Sequence, residues 1–381
     1  MGNNRICMIV TVENTVRAFL LEILIELSSK YNLTLVVNTS APDLLEEALG
    51  GKVRVVPLAL NRGPAPFHDL LMTYRLFLLF RRERFALVHT ISPKAGLLGM
   101  TAAWLARTPI RLHTFQGEVW VTRHGIWRYI LKSIDRLVGW CSTDATVVSH
   151  SERDFLVGQG MLREERSIVL ANGSISGVDT ERFSPDIEAR SFLRAKHGAT
   201  DSNVVFLYIG RLNRDKGIPE LAESFALLAT QESNAHLWIV GPDEEGMLDL
   251  VAETLAPCRN RVHVEPFVNC PENFMAAADI LILASHREGF GVVIIEAAAC
   301  GIPAIASRVY GVTDAVEEGV TGLLFPVGDA LALRDCMANL GGDASLRASM
   351  SKAGRDRVCM NFEKTDVCGA LVEYYATLLH R

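Results

Sequence analysis

The stretch Val204-Val-Phe-Leu-Tyr-Ile-Gly210-Arg211-Leu-Asn-Arg-Asp-Lys216-Gly-Ile-Pro219-Glu-Leu-Ala-Glu-Ser-Phe-Ala-Leu-Leu-Ala-Thr-Gln231 sets the architecture. Val204–Ile209 is a short, unbroken apolar run, the pattern of a strand buried on both faces. A polar loop follows Gly210, and then an amphipathic helix over 219–231. Strand, loop and helix in that order are the unit of a parallel sheet covered by helices.

The same alternation extends outward. Downstream strands are predicted at His236–Val240, Arg261–Glu265, Ile280–Ala284 and Ala304–Ala306, with helices at 246–255, 273–277, 292–300 and 329–340. Upstream, strands are predicted at Arg5–Val10, Leu33–Asn38, Val53–Pro57, Ala86–Thr90, Arg111–Thr114 and Ala145–Val148. Helices at 16–29, 44–49, 70–82, 95–106, 125–141 and 151–159 separate them. The Gly-, Ser-, Asn- and Asp-rich segment 172–185 reads as a linker. The fold class is therefore α/β, with two doubly wound domains facing a central cleft. The boundaries fall at 1–175, 176–360 and a C-terminal helix over 361–381 that packs back toward the first domain. Ligands of such sheets bind outside the carboxyl ends of the strands.

At 381 residues and 49% hydrophobic, the chain can bury ordinary cores without disulfides. Its eight cysteines are scattered, and no pair is spaced for a zinc ribbon or a redox couple. The apolar run at Ile6–Val10 is too short for a signal peptide. No run is long enough for a transmembrane helix. Net charge is −6, yet the segment Arg62–Lys132 holds eleven bases against three acids, Asp69, Glu83 and Glu118. Its Leu, Phe and Trp content suits an anionic membrane surface better than nucleic acid. Within it, Leu70–Phe80 runs straight into Arg81-Arg82-Glu83-Arg84, which fits an interfacial helix or a core helix with a solvated end.

Two loops carry candidate chemistry. Arg211 and Lys216 follow a buried strand, where a forked and a point cation together would offset a phosphate. After Ile280–Ala284 comes Ser285-His-Arg-Glu288-Gly289-Phe290-Gly291-Val292-Val-Ile-Ile-Glu296. Gly289 and Gly291 permit close backbone approach, and free amides at the Val292 helix start suit a pyrophosphate. Glu296, one turn into an apolar run, needs a partner such as a ribose.

Gly210-Arg211 with Lys216, Glu288-Gly-Phe-Gly with Glu296, Gly301-Ile-Pro303, Gly319-Val-Thr-Gly322-Leu-Leu and Gly177-Val-Asp179 together resemble the retaining glycosyltransferases of family 4, which have the GT-B fold. The resemblance spans most of the C-terminal half. It implies a nucleotide-sugar donor, with Arg211 and Lys216 on the pyrophosphate, Glu288 on the sugar and Glu296 on the ribose. Arg211, Lys216 and Glu288 are then the catalytic set, and Gly289, Phe290, Gly291 and Val292 belong to the donor site. Ser92-Pro-Lys94-Ala-Gly96-Leu-Leu-Gly99 and His113-Thr-Phe-Gln116-Gly117-Glu118-Val-Trp120 resemble bacterial members that extend polyprenyl-diphosphate-linked glycans. Relatives of that kind mostly use UDP-N-acetylated sugars. The resemblance thus implies a hexosyltransferase working with retention on a lipid-linked acceptor, peripheral on the inner face of the cell membrane. Lys94, Gln116 and Glu118 are the acceptor-side candidates.

Gln116 occupies the place where many relatives carry His or Asp, and Glu118 and His113 both remain as substitutes. Lys94 can be a diphosphate contact or a surface base. An Asp-x-Asp pair is absent, so no metal and no cofactor are expected. A sugar-nucleotide 2-epimerase of the same architecture, a non-catalytic sugar-nucleotide binder and a transferase with a soluble acceptor are the competing readings.

Overall fold

A computed structural model describes residues 4–60 and 63–381. Arg62, counted in the basic segment, lies outside the described residues. The chain divides into two compact units, one of Met1–Gly177 with Thr365–Arg381 and one of Val178–Lys364. The junctions thus fall at 177/178 and 364/365.

The first unit is built on a seven-stranded sheet, β1 (Arg5–Val12), β2 (Asn32–Asn38), β3 (Arg54–Pro57), β4 (Leu87–Ile91), β5 (Ile110–Phe115), β6 (Asp144–Val147) and β7 (Ser167–Val169). Every pairing is parallel, in the order β3-β2-β1-β4-β5-β6-β7. Alternate residues of β1 enter different cores: Ile6, Met8 and Val10 join one cluster, Cys7 and Ile9 the other. Burial on both faces explains why β1 reads as a continuous apolar run. The helix Lys364–Leu379 completes the first of these clusters with Cys368, Leu371, Val372, Tyr375 and Leu378. The Tyr375 hydroxyl lies 2.6 Å from His89 Nδ1, and His89 Nε2 lies 2.7 Å from the Thr114 hydroxyl. Burial pushes the His89 imidazole down to about 3, so it is neutral, as a ring bonded through both nitrogens to hydroxyls should be.

The second unit contains β8 (Val204–Ile209), β9 (Ala235–Val240), β10 (Val262–Glu265), β11 (Ile280–Leu283), β12 (Ala304–Ser307) and β13 (Gly322–Phe325). They form a parallel sheet in the order β10-β9-β8-β11-β12-β13. The chain moves outward from β8 to β10, then returns to the other side of β8 with β11. The loops after β8 and β11 therefore flank the switch point, where open α/β sheets bind ligands. In the first unit the switch lies between β1 and β4.

The structure adds elements that the sequence pattern did not show. β7 has three residues and β13 four, too short for periodicity to register. The helix Ile187–Lys196 is capped by Asp186, whose side chain accepts from the Glu188 and Ala189 amides. Its Ile187 and Phe192 are exposed, which blurs the amphipathic pattern. The helix Ala344–Asn361 is likewise capped by Asp343. The helices predicted at 16–29 and 95–106 each contain a π-helical turn, Val16–Leu20 and Gly96–Met100.

Candidate active site

The two loops at the β8/β11 switch point are stitched together. The His286 amide donates to the Asp215 carbonyl at 2.8 Å. Arg287 pairs with Asp215 at 3.2 Å and His286 with Glu220 at 2.9 Å. That Glu220 contact holds the His286 pKa above its ordinary value. Gly217 (φ +70°) allows this closeness, because a Cβ there would stand 2.1 Å from the Ala284 carbonyl oxygen. Gly241 does the same on the other flank, where a Cβ would meet the Gly210 oxygen at 1.8 Å. Backbone proximity thus demands glycine at both positions.

Within this frame Lys216 Nζ lies 2.5 Å from Glu288 Oε1. Ser285 donates its hydroxyl to the same oxygen at 2.7 Å. Asn213 caps the short turn before Lys216, accepting the Lys216 amide at 3.1 Å. Arg211 pairs with Glu244 at 2.6 Å, and its side chain is 45% exposed. The structure thus joins Lys216 directly to Glu288 and holds Arg211 on the same β8 loop through a different acid.

Gly291 (φ +82°) starts the helix Val292–Ala299, whose first free amides follow the Glu288 loop. Glu296 sits one turn along it, and burial raises its carboxyl pKa to about 7. Arg182 opposes that rise, but its guanidinium is bonded to Glu272 at 2.9 Å. A half-buried acid with a raised pKa in a cation-poor setting is poised to accept hydrogen bonds from ligand hydroxyls. Phe290 requires a correction. Its side chain is buried against Phe362, ring centroids 5.4 Å apart, so only its backbone can face a donor.

The acceptor-side candidates all lie in the first unit. Lys94 is tied to Asp69 at 2.5 Å and to the Gly63 carbonyl at 2.9 Å, so it is neither a solvated surface base nor a free cation. Gly96 and Gly99 of the same motif serve packing. A Cβ on Gly96 would stand 2.5 Å from the His113 ring, and one on Gly99 2.5 Å from Thr90. His113 is core, bonded to Thr90 at 2.7 Å and pushed down to about 3 by burial, which removes it as a substitute base. Glu118 is buried too, 2% exposed, and its charge bears on Glu152 and Asp135. That burial removes it as a direct acceptor contact. Gln116 remains partly exposed on the loop after β5.

Three features escaped the sequence reading. Ser92 (φ +86°) is strained for a residue with a side chain, and its hydroxyl lies 2.6 Å from Thr11 at the β1/β4 switch. Glu152 reaches from the helix His150–Gly158 to accept the Gly117 amide, fixing the loop that carries Gln116. The pattern Ser149-x-x-Glu152 signals a capping box, and Ser149 does accept the Glu152 amide at 3.2 Å. The Glu152 carboxylate, however, turns to Gly117 instead. Finally, the helix Gly125–Cys141 exposes Ile126, Trp127, Tyr129, Ile130 and Trp140. Trp140 contacts exposed Trp104 of the neighbouring helix Thr101–Leu105, ring centroids 5.0 Å apart. The helix Pro66–Glu83 buries Met72, Leu76 and Phe80 while exposing Phe67, Leu70, Leu71 and Tyr74.

Two parallel, doubly wound α/β units with a phosphate-suited loop pair at a switch point are the GT-B architecture. HepE from Anabaena, solved with UDP and glucose, superposes with a TM-score of 0.79 at 20% identity, covering 98% of this chain and 99% of its own. Residues 17–173 match the glycosyl transferase 4-like domain, and residues 189–357 match glycosyl transferases group 1. A capsular polysaccharide biosynthesis glycosyltransferase, CapM of Staphylococcus aureus, is 31% identical over 381 residues, 100% of this chain and 98% of that protein. An Escherichia coli enzyme described as a UDP-Gal:alpha-D-GlcNAc-diphosphoundecaprenol alpha-1,3-galactosyltransferase is 26% identical, covering 88% of this chain and 86% of its own. The chain belongs to the family 4 glycosyltransferases and takes its sugar from a nucleotide donor.

Proposed function

We propose that the protein is a hexosyltransferase that moves an N-acetylated sugar from a UDP donor, with retention, onto an undecaprenyl-diphosphate-linked saccharide during surface polysaccharide assembly. The observation that carries this reading is the Lys216–Glu288 pair, held by Ser285 beside the first amides of the 292–299 helix. Without donor, each member neutralises the other. With donor, Lys216 turns to the diphosphate, and Ser285 keeps Glu288 in place for the sugar hydroxyls. Arg211 adds a second cation, and Glu296 takes the ribose. Charge accumulates on the leaving diphosphate, so cations and amides already in place lower the barrier without reorganisation. The leaving phosphate oxygen accepts the acceptor proton on the same face. No divalent ion takes part in that step, consistent with the lack of an Asp-x-Asp pair.

The acceptor assignment draws on the two relatives, one of capsule synthesis and one acting on a diphosphoundecaprenol. The exposed aromatic residues of the 66–83, 101–105 and 125–141 helices, with Arg123, Arg128, Lys132 and Arg136 among them, suit the inner face of the cell membrane.

The test incubates the protein with a panel of UDP-sugars and undecaprenyl-diphosphate GlcNAc, with and without chelator, and identifies the product by mass spectrometry and NMR. A retained glycosidic product formed only with lipid-linked acceptor supports the reading. An isomerised sugar nucleotide from donor alone overturns it.

A further inference from the structure

His263 and Glu265 lie two residues apart on the edge strand β10, so both side chains leave the same face of the sheet. Val264 between them points the other way and is exposed. His197, at the end of the 187–196 helix, meets that face. The His197 and His263 rings are 3.5 Å apart between centroids, at 31°. Glu265 Oε1 stands 3.1 Å from His263 Nε2 and 4.0 Å from His197 Nε2. One donor atom from each of the three residues lies within 4.8 Å of the other two.

The His197 side chain is only 3% exposed, and its Nε2 has no hydrogen-bond partner among the described residues. His263 Nε2 is in the same position, because its approach to Glu265 lacks hydrogen-bond alignment. Two stacked imidazoles would ordinarily aim their nitrogens at a hydroxyl or carbonyl, and a buried orphan costs about 1–3 kcal/mol. Trp238 and Phe274 flank His197 at 5.2 and 6.1 Å and offer it no oxygen. A cation between the rings and the carboxylate satisfies all three donors together.

We propose that His197, His263 and Glu265 form a binding site for a divalent transition metal, zinc(II) by the chemistry of the ligand set. Two imidazoles and one carboxylate are a borderline donor set that suits zinc. Metal–ligand bonds of about 2.0–2.1 Å at tetrahedral angles separate ligand atoms by about 3.3 Å. The carboxylate oxygen already stands 3.1 and 4.0 Å from the two nitrogens, on either side of that value. The His263 ring must turn out of its stack on His197 for both nitrogens to face one ion, a movement open to His263 and Glu265, whose side chains are 28% and 24% exposed. Solvent supplies the fourth ligand. Lys196, 3.2 Å from Glu265, competes for the carboxylate and leaves it when the ion enters. The site shares no residue with the loops after β8 and β11, so its role is to clamp the 187–196 helix to the sheet edge.

The test uses tag-free, full-length protein stripped with chelator and titrated with cobalt(II), followed by absorbance, and with zinc(II), followed by calorimetry. The expected result is one equivalent per chain, tetrahedral cobalt bands and a rise in melting temperature with zinc. His263→Ala and Glu265→Gln should each weaken binding at least tenfold while keeping the wild-type circular dichroism spectrum. Lys196→Ala should bind as tightly or more so. Absence of saturable binding, or binding that survives either ligand variant undiminished, overturns the proposal.

Discussion

Raising pH from 6 to 8 should tighten UDP binding through Glu296. Burial lifts this carboxyl to about 7 in the donor-free protein. A ribose hydroxyl donates its hydrogen bond to the ionised form. That form makes up about one part in eleven at pH 6 and ten in eleven at pH 8, so the competent population rises about tenfold, or about 1.4 kcal/mol. Glu296→Gln has no such titration. UDP titrates its own terminal phosphate near pH 6, but wild type and variant share that contribution, and their ratio isolates Glu296. Calorimetry at five pH values in constant ionic strength measures it. The wild-type to variant affinity ratio should climb tenfold across the range. A flat ratio would show that Glu296 does not meet the ribose, or that its charge is already set by Arg182.

Lys216→Ala should lower kcat by about 10²–10³, the effect of removing one preorganised electrostatic contact, with the melting temperature within a few degrees of wild type. Gly217→Ala should cost well over 1 kcal/mol in urea unfolding, since it meets both a left-handed backbone and the Ala284 carbonyl. Asp135, 9% exposed, has its pKa raised from 3.8 to about 7 by burial and by Glu118. The native state therefore holds this proton more tightly than the unfolded chain. Its stabilising contribution is present below pH 4 and lost as pH rises to 7, so Asp135→Asn should gain up to about 3 kcal/mol on wild type between pH 5 and pH 8. Trp127→Glu with Tyr129→Glu should abolish co-sedimentation with anionic vesicles at low salt, and unchanged sedimentation would move the membrane contact elsewhere.

The sheets were legible because burial on both faces turns strands such as Val204–Ile209 into apolar runs with polar ends. The Lys216–Glu288 neighbourhood was legible because both residues follow such runs directly. The first unit's loops were harder to read. His113, Gln116 and Glu118 lie within six positions of which only Gln116 keeps partial exposure, and sequence carries no sign of which side chain turns inward. Glu152 was missed because its partner, the Gly117 amide, is 35 positions away and is a backbone group. The metal-ligand cluster was hidden for the same reason. His-x-Glu on β10 is a weak pattern until the end of a distant helix supplies His197. The exposed Ile126, Trp127, Tyr129 and Ile130 of the 125–141 helix lie inside the basic segment, but that segment's interfacial reading rests on Leu70–Arg84, a stretch that fits a core helix with a solvated end as well.

The Lys364–Leu379 helix gives the first unit a history as well as a core. Tyr375 closes the bond chain to His89, yet it leaves the ribosome only after the whole of Val178–Lys364. At ordinary synthesis rates of 5–20 residues per second, that delay is about 10–40 s. During it, the seven-stranded sheet has one face of β1 and β4 without its last layer. The donor unit, though second in the sequence, is the first to have all its residues available. The nascent first unit therefore waits with an open hydrophobic face, and a chaperone or the membrane surface itself is the natural cover for it.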